Sequence, residues 1–405
     1  MDLAARLSRD ALVMRSSLIR QLTGLVSRPD VISFAAGSPN AKTFPHERFL
    51  EIQIDLVNRE GGQVFQYSVT RGNPRLVKAV RRRDRDLKGI RTKPGDTLLA
   101  SGSQQGLDLV ARVLLDPGDA VFVERPSYIG ATGAFENFRA KLFAVRCEAD
   151  GMDIDDLARR LAEARAQGRP CKFVYVIPNF QNPSGAVWSQ ERRRELYDFA
   201  RREDLLIFED DAYGELYFDG VDPESLRPVK SRDDGGHVIF MSTFSKILAP
   251  GLRVAWIHGP EEIVRRIECC KETADLCTST LSQRIILEFL DRGWMPGQAA
   301  AVRRFYSAKA RTLQQGLAKH FSGFARWSAP LGGLFQWIDL PDGVDALQLL
   351  HASLEEDKVA FIPGAPFFAE GGGANTLRLS FSNVRDENID TGLSRLSRRI
   401  RRAAS

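Results

Sequence analysis

The chain has 405 residues, 43% of them hydrophobic and 27% charged, with a formal net charge of +5. That is the balance of a globular protein long enough for one large and one smaller domain. It is too weakly basic for a nucleic-acid footprint, and no apolar run reaches the roughly 18 residues that suggest a membrane span. In chain order, residues 11–27 carry apolar side chains at helical spacing (Leu12, Val13, Leu18, Leu22, Leu25, Val26), which predicts an amphipathic helix. A short extended piece, Ile32 to Asn40, ends in small residues, with Gly37 either in a turn or beside a ligand. Asn73-Pro74 is an N-cap followed by proline at the first helical position, opening a helix to about Leu87. Strand-like runs then fall at 97–100, 120–123, 141–145, 173–177, 205–208 and 238–241, with helices at 104–115, 154–166 and 190–202 between them. Helices follow at 261–275, 279–291 and 297–319. A closing α+β portion has strands at 333–339, 359–362 and 376–381 and helices at 344–355 and 387–402.

Short apolar strands alternating with helices specify an α/β fold whose mostly parallel sheet is covered on both faces. The basic clusters Arg81–Arg83, Arg192–Arg194 and Arg398–Arg402 lie within helical segments and read as solvated helix faces. Five scattered cysteines without CxxC spacing argue against a disulfide framework or zinc site and fit a reducing compartment. The N-terminus has no signal-type apolar core, so the expected location is the cytoplasm.

Ligands of such sheets gather at the carboxyl ends of the strands, and the polar clusters of this chain fall there. After strand 238–241 come Ser242, Thr243, Ser245 and Lys246, with Arg253 seven positions beyond the lysine. Hydroxyls and a guanidinium beside an amine suit a phosphate next to an imine-forming lysine, although a surface lysine and a Ser/Thr turn would look alike. After strand 97–100, Ser101-Gly102-Ser103-Gln104-Gln105-Gly106 opens a helix, either a phosphate cradle or an ordinary βα turn. After strand 173–177, Pro178 to Gly185 contains Asn182, a turn former or a donor to a phenolate oxygen. After strand 205–208, Glu209-Asp210-Asp211-Ala212-Tyr213 concentrates carboxylates that suggest a cation, a metal or a protonated ring nitrogen. Arg378 sits in the apolar run Thr376 to Phe381, where it faces either a structural carboxylate or that of a substrate.

Together these residues resemble the fold-type I, class I/II pyridoxal-phosphate aminotransferases. The resemblance is nearest to the branch of aminoadipate, kynurenine and aromatic aminotransferases and the aminotransferase-like domain of MocR-type regulators. It runs from about residue 15 to 400 and rests on SGSQQG, PNFQNPSG, EDDAYGEL, STFSKILAPGLR and NTLRLSFS in the family's order and spacing. The resemblance implies a seven-stranded large domain over 46–292, a smaller α+β domain over 293–405, and residues 1–45 joining the small domain. It implies that Lys246 holds pyridoxal 5'-phosphate as an internal aldimine, that Asp210 pairs with the ring nitrogen, and that Asn182 and Tyr213 bind the ring oxygen. Ser103, Gln104, Thr243, Ser245 and Arg253 would hold the phosphate, and Tyr128 would stack on the ring. Tyr67 would reach the phosphate of a neighbouring subunit, which implies a homodimer. Arg378 would take the substrate carboxylate, with Gly37 and Asn182 lining the same end, and Arg20 matches an arginine that meets acidic side chains in aminoadipate enzymes. Thr243 stands where many members have Ser, and Ala255-Trp256 where a Gly-aromatic pair is usual.

The expected activity is transfer of an amino group from an α-amino acid to a 2-oxo acid such as 2-oxoglutarate by a ping-pong mechanism, with no metal, nucleic acid or membrane partner. The rival readings are the same cofactor in lyase, racemase or oxidase chemistry and a MocR-like regulator, for whose DNA-binding module some 30 residues before the core are too few.

Overall fold

The computed structural model describes residues 28–404 together with positions 3, 6–8, 11 and 12. The helix expected over 11–27 therefore lies outside the described residues apart from its first two positions, and so does Arg20. After a two-residue strand β1 (Ile32–Ser33) come helices α1 (His46–Glu60) and α2 (Pro74–Lys88). The chain then alternates through β2 (Thr97–Ala100), α3 (Ser103–Leu114), β3 (Ala120–Arg125), α4 (Ile129–Asn137), β4 (Lys141–Glu148), β5 (Gly151–Met152), α5 (Ile154–Ala166), β6 (Cys171–Val176), α6 (Gln190–Glu203), β7 (Leu206–Asp210), β8 (Val238–Thr243) and β9 (Ala255–His258). Helices α7 (Glu261–Ala274), α8 (Thr280–Asp291) and the long α9 (Met295–His320) follow. They lead to β10 (Phe335–Asp339), α10 (Ala346–Ala352), β11 (Val359–Ala360), β12 (Ile362–Pro363), β13 (Thr376–Ser380) and α11 (Asp386–Ala404).

Local chemistry sets the helix ends. The Asn73 side chain accepts from the backbone N–H groups of Arg75 and Leu76, Pro74 takes the first turn, and α2 ends on left-handed Gly89 at φ +72°. Asp153 and Ser189 cap α5 and α6 in the same way.

The large sheet runs β2-β9-β8-β7-β6-β3-β4-β5. Its centre, β8-β7-β6-β3-β4, is parallel. It has eight strands rather than the expected seven, because the two-residue β5 folds back antiparallel on β4. Strand β9, absent from the sequence-based reading, lies antiparallel between β8 and β2. It is only four residues long, yet buried throughout. Trp256 Nε1 donates to Asp84 Oδ2 at 2.5 Å, and the two ring nitrogens of His258 bond to Asp84 and Thr97. Helices cover both faces, and each fully buried aliphatic or aromatic side chain there contributes about 1.5–3 kcal/mol.

The expected strand 359–362 divides into two. Val359 and Ala360 pair in parallel with Ile32 and Ser33, whereas Ile362 and Pro363 join β13 in a three-stranded antiparallel sheet. The β1–β11 pairing ties the N-terminal segment to the C-terminal part of the chain. A second correction concerns Arg193. It is fully buried rather than solvated, and its guanidinium donates to the carbonyls of Pro178 and Trp188 and to Asn179 Oδ1. Among the described residues no helix is long and apolar enough to cross a membrane.

Candidate active site

The carboxyl ends of the parallel strands open onto a pocket of about 150 Å³. It is lined by Ser103, Gln104, Tyr128, Asn182, Asp210, Tyr213, Thr243, Ser245, Lys246 and Arg253, ten of the residues singled out from sequence. They come from five separate stretches of chain, which only the sheet brings together.

Strand alternation sorts the three carboxylates at the end of β7. Glu209 points to one face and accepts the backbone N–H groups of Val229 and Lys230. Asp211 accepts from Lys88 Nζ at 2.6 Å and from Asn179 Nδ2 at 2.9 Å. Asp210 alone lines the pocket. The Tyr175 hydroxyl donates to its Oδ2 at 2.9 Å, and its Oδ1 is buried without a partner. Burial pushes the Asp210 carboxyl up to about 7, with the Tyr175 bond and Lys246 acting against it. The three carboxylates are thus not one cation site. Among the described residues no cluster of His, Cys, Asp and Glu is arranged to hold a metal.

Lys246 follows β8, with its Nζ 5.5 Å from the centre of the Tyr213 ring. Burial pulls its amine down to about 8, Asp210 opposes that shift, and Arg253 and Arg378 reinforce it. Tyr213 is itself pushed up by burial, and the Asn182 side chain bonds to it.

At the other end of the pocket, Gly102 holds φ +87°, and a Cβ there would fall 2.0 Å from Arg253 Nη2. Only glycine lets the guanidinium lie against the start of α3. Ser103 Oγ, in the first turn of α3, is buried with no partner. Thr243 Oγ1 and Ser245 Oγ lie 2.8 Å apart, and Gln104 Nε2 donates to the Gly130 carbonyl. A helix N-terminus, three hydroxyls and a guanidinium are the donor set that could hold a dianionic phosphate.

Arg378 enters from the middle of β13. Its Nη1 donates to Asn182 Oδ1 at 2.8 Å and its Nη2 to the Ala35 carbonyl at 3.2 Å, while Nε is buried without a partner. Its guanidinium lies 4.3 Å from the centre of the Phe335 ring, and burial lowers its pKa to about 10. No carboxylate among the described residues pairs with it, so the structural ion pair is not formed. Gly37 completes this end: a Cβ on it would sit 3.0 Å from Phe335 and 3.6 Å from Arg378 Nη2. Tyr67 stands apart, 76% exposed and outside the pocket.

Two polar residues escaped the sequence reading. Tyr175 supports Asp210. Glu124, at the end of β3, accepts from Ile177 N, Gln181 Nε2 and Trp188 Nε1, tying the strand that leads to Tyr128 to the loop that carries Asn182. The signal for each was a polar residue inside an otherwise apolar strand run, Phe173 to Ile177 and Val121 to Glu124.

A half-buried amine, a buried carboxylate with one free oxygen, and hydroxyls with a guanidinium at a helix N-terminus on a parallel sheet are the groups that could hold an aldehyde cofactor by its ring nitrogen and its phosphate. The orphaned Ser103 Oγ and Asp210 Oδ1 fit pyridoxal phosphate at both ends. The chain belongs to the aminotransferase class I and II family, whose model matches residues 29–396. It is 37% identical over 401 residues to aromatic-amino-acid aminotransferase 1 of Thermococcus litoralis, covering 99% of this chain and 95% of that one. It is 38% identical over 388 residues to 2-aminoadipate transaminase of Thermus thermophilus, covering 96% and 94%. Kynurenine aminotransferase of Pyrococcus horikoshii, solved with PMP, superimposes with a TM-score of 0.95 at 36% identity over 100% and 99% of the two chains. The protein is a pyridoxal-phosphate-dependent transaminase of PLP fold type I.

Proposed function

We propose that this transaminase works in two half-reactions, a ping-pong exchange in which an α-amino acid leaves as its 2-oxo acid and a second 2-oxo acid, 2-oxoglutarate, leaves as its amino acid. Pyridoxal phosphate supplies the aldehyde that accepts the amine and the ring that takes up the electron pair released at the substrate Cα. Lys246 is its covalent anchor in the resting enzyme. Ser103, Gln104, Thr243, Ser245 and Arg253 hold its phosphate, Tyr128 stacks on its ring, and Asn182 and Tyr213 hydrogen-bond its ring oxygen. Asp210, ionised against the ring nitrogen, keeps that nitrogen protonated.

With substrate bound, Lys246 Nζ would be the base that takes the Cα proton and holds it for return. Its amine, lowered to about 8, is partly neutral at working pH and so able to accept it. Arg378 takes the substrate α-carboxylate as a fork, its carboxylate-free and half-unsatisfied guanidinium being pre-set by Asn182, Ala35 and Phe335. Gly37 leaves room at that end. The relatives' names support aromatic amino acids, kynurenine and 2-aminoadipate as donors, and Arg20 is the lead for an acidic side chain.

We further propose that residues 46–292 form the cofactor domain and 293–405 the small domain, joined by 1–45, which the β1–β11 pairing supports. The enzyme acts as a homodimer in which the partner subunit's Tyr67 reaches the phosphate. The exposure of Tyr67 in a single chain supports this.

One observation carries the reading: half-buried Lys246 shares its pocket with the unpartnered oxygen of Asp210. The test is incubation of holoenzyme with a panel of aromatic and acidic amino acids and 2-oxoglutarate. Glutamate and the donor's 2-oxo acid are expected in equal amounts. Carbon dioxide, racemised donor or peroxide without glutamate would assign the site to lyase, racemase or oxidase chemistry instead.

A further inference from the structure

A second cavity, of about 420 Å³, is larger than the pocket of Lys246. It lies between α2, the first turns of α9 and the chain from Asp211 to Arg227. Met295, Ala299 and Arg303 recur at four-residue spacing and turn one stripe of α9 toward it. Its walls are largely apolar, from Ala79, Leu226, Leu290, Met295 and Ala299.

Its charge is unbalanced: five cationic side chains line it against three carboxylates, and all three carboxylates are already engaged. Glu215 accepts from Arg83 Nη1 at 2.5 Å, Asp211 from Lys88 at 2.6 Å, and Asp86 from Arg85 at 2.8 Å. Arg227 is paired with Glu224 at 2.7 Å. Arg82 and Arg303 have no carboxylate partner among the described residues. Arg303 lies over the Tyr217 ring at 4.4 Å, which holds its guanidinium while leaving the N–H edge open. A cavity of this size is in the range of small-molecule sites. Inorganic phosphate would leave the apolar walls uncovered, and a neutral apolar molecule would leave the half-buried Arg303 guanidinium without an anion, whereas exposed Arg82 meets water at the rim.

We propose that this cavity is a second ligand site, separate from the pocket of Lys246, for a small organic anion: a carboxylate or phosphate head on an aromatic or branched aliphatic body. The site also touches the cofactor pocket, a link that rests on the function proposed above. Asp211, which lines this cavity, is the neighbour of Asp210. A Cβ on Gly214 would fall 2.2 Å from Asp211 Oδ1, so the turn carrying Tyr213 is closed down on that carboxylate. A ligand that shifts Lys88 or Asp211 therefore shifts the strand end on which the cofactor ring depends.

The test is a fluorescence titration of the full-length holoenzyme with anilinonaphthalene sulfonate, an apolar anion. Saturation at one molecule per chain is expected. Arg303→Glu weakens binding at least tenfold, as does Ala299→Trp, which fills the cavity without changing its charge. Arg194→Glu, on an exposed face of α6, leaves binding unchanged. Phenylacetate and phenyl phosphate displace the dye, their relative strength giving the head group, and benzyl alcohol does not. Equal dye affinity in Arg303→Glu and Ala299→Trp proteins that melt like the wild type overturns the site. So does displacement by benzyl alcohol as readily as by phenylacetate, or no stoichiometric binding. Phenylacetate should also shift the visible absorbance of the wild type and of Arg194→Glu but not of Arg303→Glu. No shift, or the same shift in Arg303→Glu, overturns the link while leaving the proposed chemistry at Lys246 untouched.

Discussion

Asp210 and Lys246 face each other with their ordinary acidities brought close together, the carboxyl raised to about 7 and the amine lowered to about 8. Both shifts come first from burial, so each group is held in a form ready to be charged or neutralised by a small change in its surroundings. In the function proposed above, a cationic ring nitrogen against Asp210 would restore the carboxylate. Asp210→Asn is therefore expected to retain the cofactor but lower kcat on the order of a hundredfold, by analogy with removal of one charge-stabilising group. Single-turnover kinetics with an aromatic amino acid would check it, and an unchanged rate would remove Asp210 from the mechanism. Glu124 gives a cleaner pH prediction, because no cation is bonded to it. Burial raises its folded pKa to about 8, against 4.5 as the ordinary value. The folded state therefore holds the proton more tightly, so no penalty exists below about pH 4.5. The penalty grows as pH rises through that interval and is complete above pH 8. Relative to wild type, Glu124→Gln should thus gain unfolding free energy between these limits, on the order of a few kcal/mol at most, read by urea unfolding across that pH range. A wild-type-minus-variant difference that stays flat with pH would contradict it.

The turn between β2 and α3 is the element on which the proposed phosphate cradle rests. Gly102→Ala would place a methyl group on the Arg253 guanidinium at a backbone angle that disfavours any side chain. Cofactor affinity should fall at least tenfold by absorbance titration, and undiminished affinity would move the phosphate elsewhere. Helix α2 is pinned to the back of the site by Lys88, which reaches Asp211 at 2.6 Å and Asp84 at 3.7 Å. Lys88→Met leaves two buried carboxylates short of a cation and should cost about 3–5 kcal/mol in urea unfolding. Elements of this kind were partly legible in the sequence. The parallel strands are short apolar runs bounded by helices with recognisable caps, and their ends carried the polar clusters. Strand β9 is bounded by Pro250-Gly251 and Gly259-Pro260 but has only four residues, so its place between β8 and β2 depends on partners far away in sequence. The division of 359–362 is invisible for the same reason, since pattern reveals an extended backbone but not which sheet receives its hydrogen bonds. Arg193 was misread because three consecutive arginines on a helix point about 100° apart, so one of them can face the interior while its neighbours meet water. Which of the three carboxylates at 209–211 faces the lysine follows from strand alternation plus the knowledge of which face holds the pocket. Glu124 and Tyr175 lay hidden because their work is done behind the site.

At the scale of the whole molecule, two parts of the chain meet at Asn182, which lines the pocket at the strand ends of the large sheet and accepts from Arg378 of the small one. The Arg378–Asn182 bond, between residues 196 positions apart, spans that junction. Arg378→Lys should raise KM for the amino donor by tenfold or more with a smaller effect on cofactor binding, because a lysine cannot make the fork. Equal KM values would separate Arg378 from the substrate carboxylate. A sedimentation experiment should give twice the chain mass of 45.2 kDa, and a catalytically full monomer would rule out a contribution from the partner subunit's Tyr67. The proposed activity turns on one covalent attachment. The most direct measurement is borohydride reduction of the protein loaded with pyridoxal phosphate, followed by digestion and mass spectrometry. A single phosphopyridoxyl group is expected on the peptide containing Lys246, with loss of the visible absorbance and none of that label in Lys246→Ala. A label on another lysine, or full visible absorbance in Lys246→Ala, would contradict it.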